Sequence, residues 1–298
     1  MLVSCVYGDT HPYGHLAIGS QESLGAISRE DAVNFYRANF APNNAALILV
    51  GDLTEDDARR LANEAFGEWS GQAKPSSVPP APRPISNRLV IVDKPGSPQT
   101  ALLVAQPAVR RSDPDFDRLS VMNAVLGGNF AGRLNMNLRE DKGYTYGSYS
   151  WLGEERGVST LGCWASVRTD VSGAAIAEIL KEYGGMSTRP PSVDELSLAK
   201  ESLTQTLPAK FQTSDDLVGT IGQLYLLDLA PDYYQSLPAR LASMTAADVT
   251  AIAGKYVDPT RLIVIAVGDR GKIEAQIGEL NLGSVAYRAA DRKPVNLN

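Results

Sequence analysis

"ISREDAVNFYRANFAPNNAALILVGD", Ile27–Asp52, recurs as "MTAADVTAIAGKYVDPTRLIVIAVGD", Met244–Asp269. No gap is needed: Asp31 falls on Asp248, Phe40 on Val257, Pro42 on Pro259, Leu47 on Val264 and Gly51-Asp52 on Gly268-Asp269, 217 positions apart throughout. Each copy predicts an N-cap at Ser28 or Thr245, an amphipathic helix, a proline-containing turn and an aliphatic strand, with Gly-Asp opening a further helix. Self-similarity at this length predicts tandem domains of one fold rather than a solenoid.

Working outward, "GQAKPSSVPPAPRPISN", Gly71–Asn87, separates the copies. Its five prolines favour an extended, semi-rigid linker. The expected organisation is residues 1–70 as the C-terminal third of a first domain, 71–87 as linker, and 88–298 as a complete second domain. Carrying the 217-residue offset back from residue 88 leads to the expectation that about 130 residues of the first domain lie outside this chain.

The second copy predicts strands over "RLVIVDK", "QTALLVAQP", "TYGSYSWL" and "GVSTLGCWASV", the last two paired. A helix is expected over "SDPDFDRLSVMNAVLG", capped by Ser112 or Asp113, with Pro114 in its first turn and Gly127-Gly128 as its stop. Further helices are expected at 170–186, 192–212 and 214–229, then the repeat helix, a strand at 262–267 and a closing helix. Strands and helices segregate in groups, so the predicted class is α+β: a mostly antiparallel sheet with helices on one face.

The chain has 298 residues, 44% of them hydrophobic and 21% charged, enough to bury a substantial core. A net charge of -6 without a basic cluster argues against nucleic acid or an anionic membrane as partner. No run of 18 apolar residues predicts a membrane span. Cys5 and Cys163 read as buried free thiols, with a single bridge as the alternative. "MLVSCVYGDTHPYGH" lacks a signal peptide's charged start and apolar stretch. The compartment stays open, bacterial cytoplasm or periplasm, because a signal peptide would lie upstream of Met1 if the native start is elsewhere.

Only two histidines are present. His11 and His15 have a four-residue spacing, but Pro12 and Gly14 unfit the segment for a helix, and no Glu lies between them. No metal site is expected from this chain's residues, since a catalytic zinc needs three convergent protein ligands. In "LREDKGYTYG", Leu138–Gly147, a helix end, a Gly143 turn and a strand start would bring Arg139 and Tyr146 to one edge of the sheet. A guanidinium fork and a phenol can hold a peptide carbonyl or an oxyanion. By composition alone the ordinary reading, a surface arginine with its tyrosine lying on the sheet, is the favoured one.

The segment from "DKPGSPQTALLVAQP" through "LGGNFAGRLNMNLREDKGYTYGSYS" resembles the second domain of zinc peptidases of the pitrilysin/insulinase family, which includes mitochondrial processing peptidase. "HPYGHLAIGSQESLGAISREDAVNFYRANFAPNNAALILVGD" is similar to the end of that family's first domain. The resemblance implies two α+β domains facing each other around an unfolded peptide. It implies that zinc is bound by an inverted motif, His-x-x-Glu-His, with a distant Glu, in the first domain. It also implies that an Arg and a Tyr seven apart, matching Arg139 and Tyr146, hold the substrate near the scissile bond. Gly127, Gly128, Phe130 and Arg133 would then line the cleft, although the two glycines serve equally as a helix stop.

This chain departs from the family pattern in lacking the metal ligands and the general base. The expectation is a substrate-binding half of a zinc endopeptidase, inactive alone and completed by a zinc-bearing domain in cis. The alternatives are the non-catalytic subunit of a two-subunit peptidase, or a peptide-holding scaffold without proteolysis. Peptides or unfolded proteins are the expected substrates. Self-association through residues 2–69 is expected if the first domain leaves apolar surface uncovered.

Overall fold

A computed structural model describes residues 2–74, 77–80 and 89–289. The expected domain boundary at 87/88 and most of the linker prolines lie outside the described residues. The first stretch contains α1 (Leu2–Tyr7), α2 (Gln21–Ala26), α3 (Arg29–Asn39) and α4 (Glu55–Phe66). Ser28 caps α3 as expected: its hydroxyl accepts from Asp31 N while the Asp31 carboxylate accepts from Ser28 N. Thr54 and Asp57 close the same box on α4.

After β1 (Leu89–Asp93) and β2 (Gln99–Pro107) come α5 (Phe116–Asn123), the short α6 (Arg133–Asn135), and the strands β3 (Thr145–Leu152) and β4 (Thr160–Arg168). There follow α7 (Ser172–Gly185), α8 (Val193–Thr204), α9 (Ser214–Leu226), α10 (Tyr233–Ser243) and α11 (Ala246–Tyr256). β5 (Ile263–Gly268), α12 (Arg270–Gly278) and β6 (Val285–Arg288) complete it.

Among the described residues six strands lie in the order β3-β4-β2-β5-β1-β6, antiparallel from β3 to β5 and parallel from β5 to β6. Period-2 alternation decides which side chain goes where. Leu89 and Ile91 of β1, Leu102 and Val104 of β2, and Val264 of β5 pack under α5, α7 and α11 with Leu119, Met122, Ile176 and Val249. Val90, Val92, Ala105 and Ile265 point to the opposite face, where α1 lays Val6 and Tyr7 over them. Each fully buried aliphatic side chain of this kind stabilises the fold by about 1.5–3 kcal/mol before entropy is counted. The expected sheet with helices on one face is therefore present, with α1 added on the other.

Several local expectations need correction. α5 starts late, with Asp115 at its N-cap and no side-chain cap bond, because Asp113 Oδ1 accepts from Asp115 N at 2.9 Å in a turn ahead of the helix. The helix expected to run from 192 to 212 ends at Thr204, and Pro208 opens a 3₁₀ turn, since proline offers no amide to continue the ladder. α10 was not expected, and it carries Pro238 inside it.

The two repeats diverge at their strands. β5 is a central strand, whereas Ala45–Val50 pairs with no strand among the described residues. Leu47 is 52% exposed and its counterpart Val264 is 0% exposed; Phe35 is 64% exposed and its counterpart Ile252 is 4%. A strand needs at least one pairing partner to satisfy its backbone, and this segment has none among the described residues.

Candidate functional site

The site region is built by an unusual run of backbone between α5 and β3. The chain leaves α5 through a wide turn at Ala124–Gly128, and α6 passes into a second wide turn at Met136–Asp141. The glycines in "LGGNFAGRL" serve a close approach within the chain. A Cβ on Gly127 would lie 3.1 Å from Ser150 N and 3.0 Å from Leu134 Cδ1, and one on Gly132 would lie 2.5 Å from Gly127 Cα. The loop thereby lies along the free edge of β3, and Asn135 Oδ1 accepts from Ser148 N at 3.1 Å, satisfying an edge amide that no strand pairs.

The second wide turn carries Arg139. Lys142 N donates to Asn137 O and Tyr144 N to Leu138 O, and Gly143 takes φ 61°, the left-handed conformation that ends a helix cheaply only in glycine. Arg168 Nη1 donates to Gly143 O at 2.9 Å and holds the turn against β4. Asn137, one of the residues sequence reasoning missed, donates through Nδ2 to Glu178 Oε2 and Glu182 Oε1, each at 2.8 Å, and so anchors the turn to α7. The Asn137 hydrogen bond, helped by Lys181, holds the Glu178 carboxyl below the usual carboxylate range.

Tyr146 is placed by a β-bulge. Thr145 faces Val167 and Ser148 faces Ala165, so Tyr146 and Gly147 together stand opposite Ser166. The Thr145 hydroxyl stabilises this irregularity, donating to Ser166 O at 2.7 Å and accepting from Gly147 N at 3.1 Å. A bulge re-aims a side chain by interrupting the ladder locally and bending the strand. Here it leaves the Tyr146 side chain 90% exposed, while Ser148 and Ser150 beyond it turn back into the core. Among the described residues the Tyr146 phenol makes no hydrogen bond.

The structure brings some of the predicted site residues together and separates others. Arg139 lies over the Phe130 ring, 4.7 Å from its centroid, and pairs with Glu140 at 3.0 Å; it makes no contact with Tyr146 among the described interactions. Phe130 is exposed and Arg139 half-buried in this cation–π pair. Arg133 is committed to the scaffold. Its side chain is 11% exposed, with Nε 2.6 Å from Glu195 Oε1 and Nη2 3.0 Å from Glu195 Oε2, and it also donates to Arg189 O and Pro190 O. That forked pair holds the Glu195 carboxyl below its ordinary range.

The histidines are accounted for by local structure. His11 Nδ1 accepts from Tyr13 N at 3.0 Å, and Nε2 lies 3.3 Å from Pro79 O. His15 is exposed. Among the described residues no group of three His, Cys, Asp or Glu side chains converges as a metal site would, so these residues do not fit zinc. No helix among them is long and apolar enough to cross a membrane. Cys5 and Cys163 are free thiols, the second buried, its thiol pushed up to about 12 by that burial.

Comparison with known proteins adds to this geometry. The family model described as Peptidase M16 inactive domain matches residues 26–203, from the start of the first repeat into α8. A protein of Streptomyces coelicolor described as an uncharacterized zinc protease is 23% identical over 258 residues, covering 83% of this chain and 55% of that protein. A probable mitochondrial-processing peptidase subunit beta of Schizosaccharomyces pombe is 20% identical, over 87% of this chain and 59% of its own length. A Helicobacter pylori protein described as a non-peptidase homolog is also 20% identical, over 88% and 60%. The crystal structure of a peptidase M16 inactive domain from Pseudomonas fluorescens superposes with a TM-score of 0.81 at 26% identity, covering 90% of this chain and 64% of that one. The chain thus spans about half to three fifths of these relatives' length. A family match over more than half the residues, on a fold that superposes closely, makes this chain a member of the peptidase M16 inactive-domain family.

Proposed function

We propose that this chain is the substrate-binding half of a zinc-dependent endopeptidase that acts on peptides or unfolded proteins, and that it is inactive by itself. The zinc and the general base would come from a homologous domain in cis or a partner subunit in trans. In this reading Tyr146 donates from its phenol to the scissile carbonyl and to the oxyanion that develops there, and Arg139 anchors the neighbouring peptide backbone. The observation that carries the reading is the bulge at Tyr146-Gly147, which presents a phenol 90% exposed and without an internal partner among the described residues. A tyrosine kept for packing would be turned inward, as Tyr183 is.

The tandem-domain organisation is part of the same proposal. Residues of the first repeat expose the apolar positions whose counterparts in the second are core, which supports reading residues 1–70 as the end of a unit whose other strands are supplied from outside these residues. The test is peptide turnover by the complete assembly carrying Tyr146→Phe or Arg139→Ala, with peptide affinity measured alongside. Loss of turnover supports the proposal. Unchanged turnover with unchanged affinity would remove the pair from the site. Binding without turnover in the complete assembly would favour a scaffold role; the Helicobacter relative is described as a non-peptidase homolog.

A further inference from the structure

The cluster around His11 ties three separate parts of the chain together. His11 is 6% exposed and caps the 3₁₀ turn Pro12–Gly14 through the Nδ1 contact with Tyr13 N. With Nδ1 accepting, a neutral ring carries its proton on Nε2, 3.3 Å from Pro79 O in the proline-rich connection, and can donate there. The imidazole stacks on Tyr7, with centroids 5.2 Å apart and planes 17° off parallel, and meets the Tyr13 ring at 66°. Both tyrosines then reach the β3–β4 turn: Tyr7 Oη donates to Val158 O at 2.9 Å, and Gly157 N donates to Tyr13 Oη at 3.1 Å.

We propose that His11 is a pH-sensitive latch, closed when its imidazole is neutral and opened by protonation, that fastens residues 2–15 and the connection at 77–80 to the sheet. A second proton would sit on Nδ1 and point at the Tyr13 amide, setting donor against donor and leaving a buried N–H without an acceptor. The closed state therefore belongs to the higher pH and is lost as pH falls. The titratable groups packed against the ring are Tyr7 of α1 and Tyr13 of the same turn, and Glu155 of the β3–β4 turn acts on Tyr7. Burial raises Tyr7 to about 12, so its phenol stays uncharged where histidine changes charge, and burial also raises the Glu155 carboxyl above its ordinary value. Asp9 and His15 flank the ring in sequence and are exposed. The latch does not depend on the roles assigned to Arg139 and Tyr146.

Hydrogen–deuterium exchange of the whole chain at about pH 8 and about pH 5, corrected for the intrinsic rate, tests this. The expected result is a loss of protection of about tenfold, the scale of one hydrogen bond, confined to peptides covering 2–15, 77–80 and 157–160. His11→Asn keeps a capping acceptor but cannot take a proton, so it should stay protected at both pH values, and Glu155→Gln should keep the wild-type response. Equal protection of the wild type at both pH values would overturn the proposal. So would a loss spread over β1–β5, an unchanged response in His11→Asn, or a response abolished by Glu155→Gln.

Discussion

Arg139 and Arg133 have the same side chain, six residues apart, yet the surroundings give them opposite roles. Arg133 is walled in and satisfied by a bidentate carboxylate and two carbonyls, so Arg133→Ala leaves Glu195 beside a gap and should lower stability by about 2 kcal/mol in a denaturant titration. Arg139 lies on the surface over Phe130, and Tyr146 projects from a bulge, so Arg139→Ala and Tyr146→Phe should each change stability by less than about 0.5 kcal/mol. A large fall in melting temperature in either would mean that the side chain serves the fold. The same separation was only partly legible in the sequence. The seven-residue spacing of Arg139 and Tyr146 pointed to a shared edge, but nothing local to Arg133 announces Glu195, which lies 62 residues away on α8.

At the scale of elements, the glycine-rich run reads differently in sequence and in space. The sequence allowed a helix stop or a close approach to a cleft, and the structure shows a close approach to the edge of β3. Gly127→Ala should therefore destabilise by about 1–3 kcal/mol through the contacts with Ser150 N and Leu134, measured by chemical denaturation against Gly25→Ala, where a Cβ meets nothing within 4 Å. Equal effects in the two variants would contradict this account of the loop. The repeat helices, their Ser28 and Thr245 caps and five of the six strands were legible because periodicity and caps are local signals. α10 was not, because Pro238 within it reads as a breaker. β6 was missed because four residues, Val285–Arg288, carry too short a pattern. The bulge was invisible for another reason: it depends on register against Ser166, a residue of the partner strand.

For the whole molecule, charge and exposed apolar surface set the behaviour. Hydrogen bonds from Lys255, Asn137 and Arg133 hold the carboxyls of Asp115, Glu178 and Glu195 below their ordinary range. Groups depressed in this way contribute stability above their unfolded values and lose it as pH falls, so the melting temperature should drop between about pH 5 and about pH 3. Lys255→Ala should shrink the part of that drop due to Asp115, and a pH-independent melting temperature would contradict the assignment. Residues 27–69 leave Phe35, Phe40, Leu47 and Trp69 exposed, and this chain should self-associate in light scattering through that segment. Phe35→Asp with Leu47→Asp should reduce the association, and a strict monomer at high concentration would argue against an unpartnered face. The fold class and the family were readable from the repeat and from the motifs around Arg139 and Tyr146. The placement of α1 on the back of the sheet was not, since it arises from contacts with strands more than 80 residues away.

On the proposed function, the exposed phenol on the bulge works on the substrate. Peptide turnover by the complete zinc-bearing assembly containing Tyr146→Phe tests it most directly. A fall of at least about tenfold with an unaltered melting temperature is the predicted result, the minimum cost of removing one oxyanion donor. Wild-type turnover from the folded variant would contradict it.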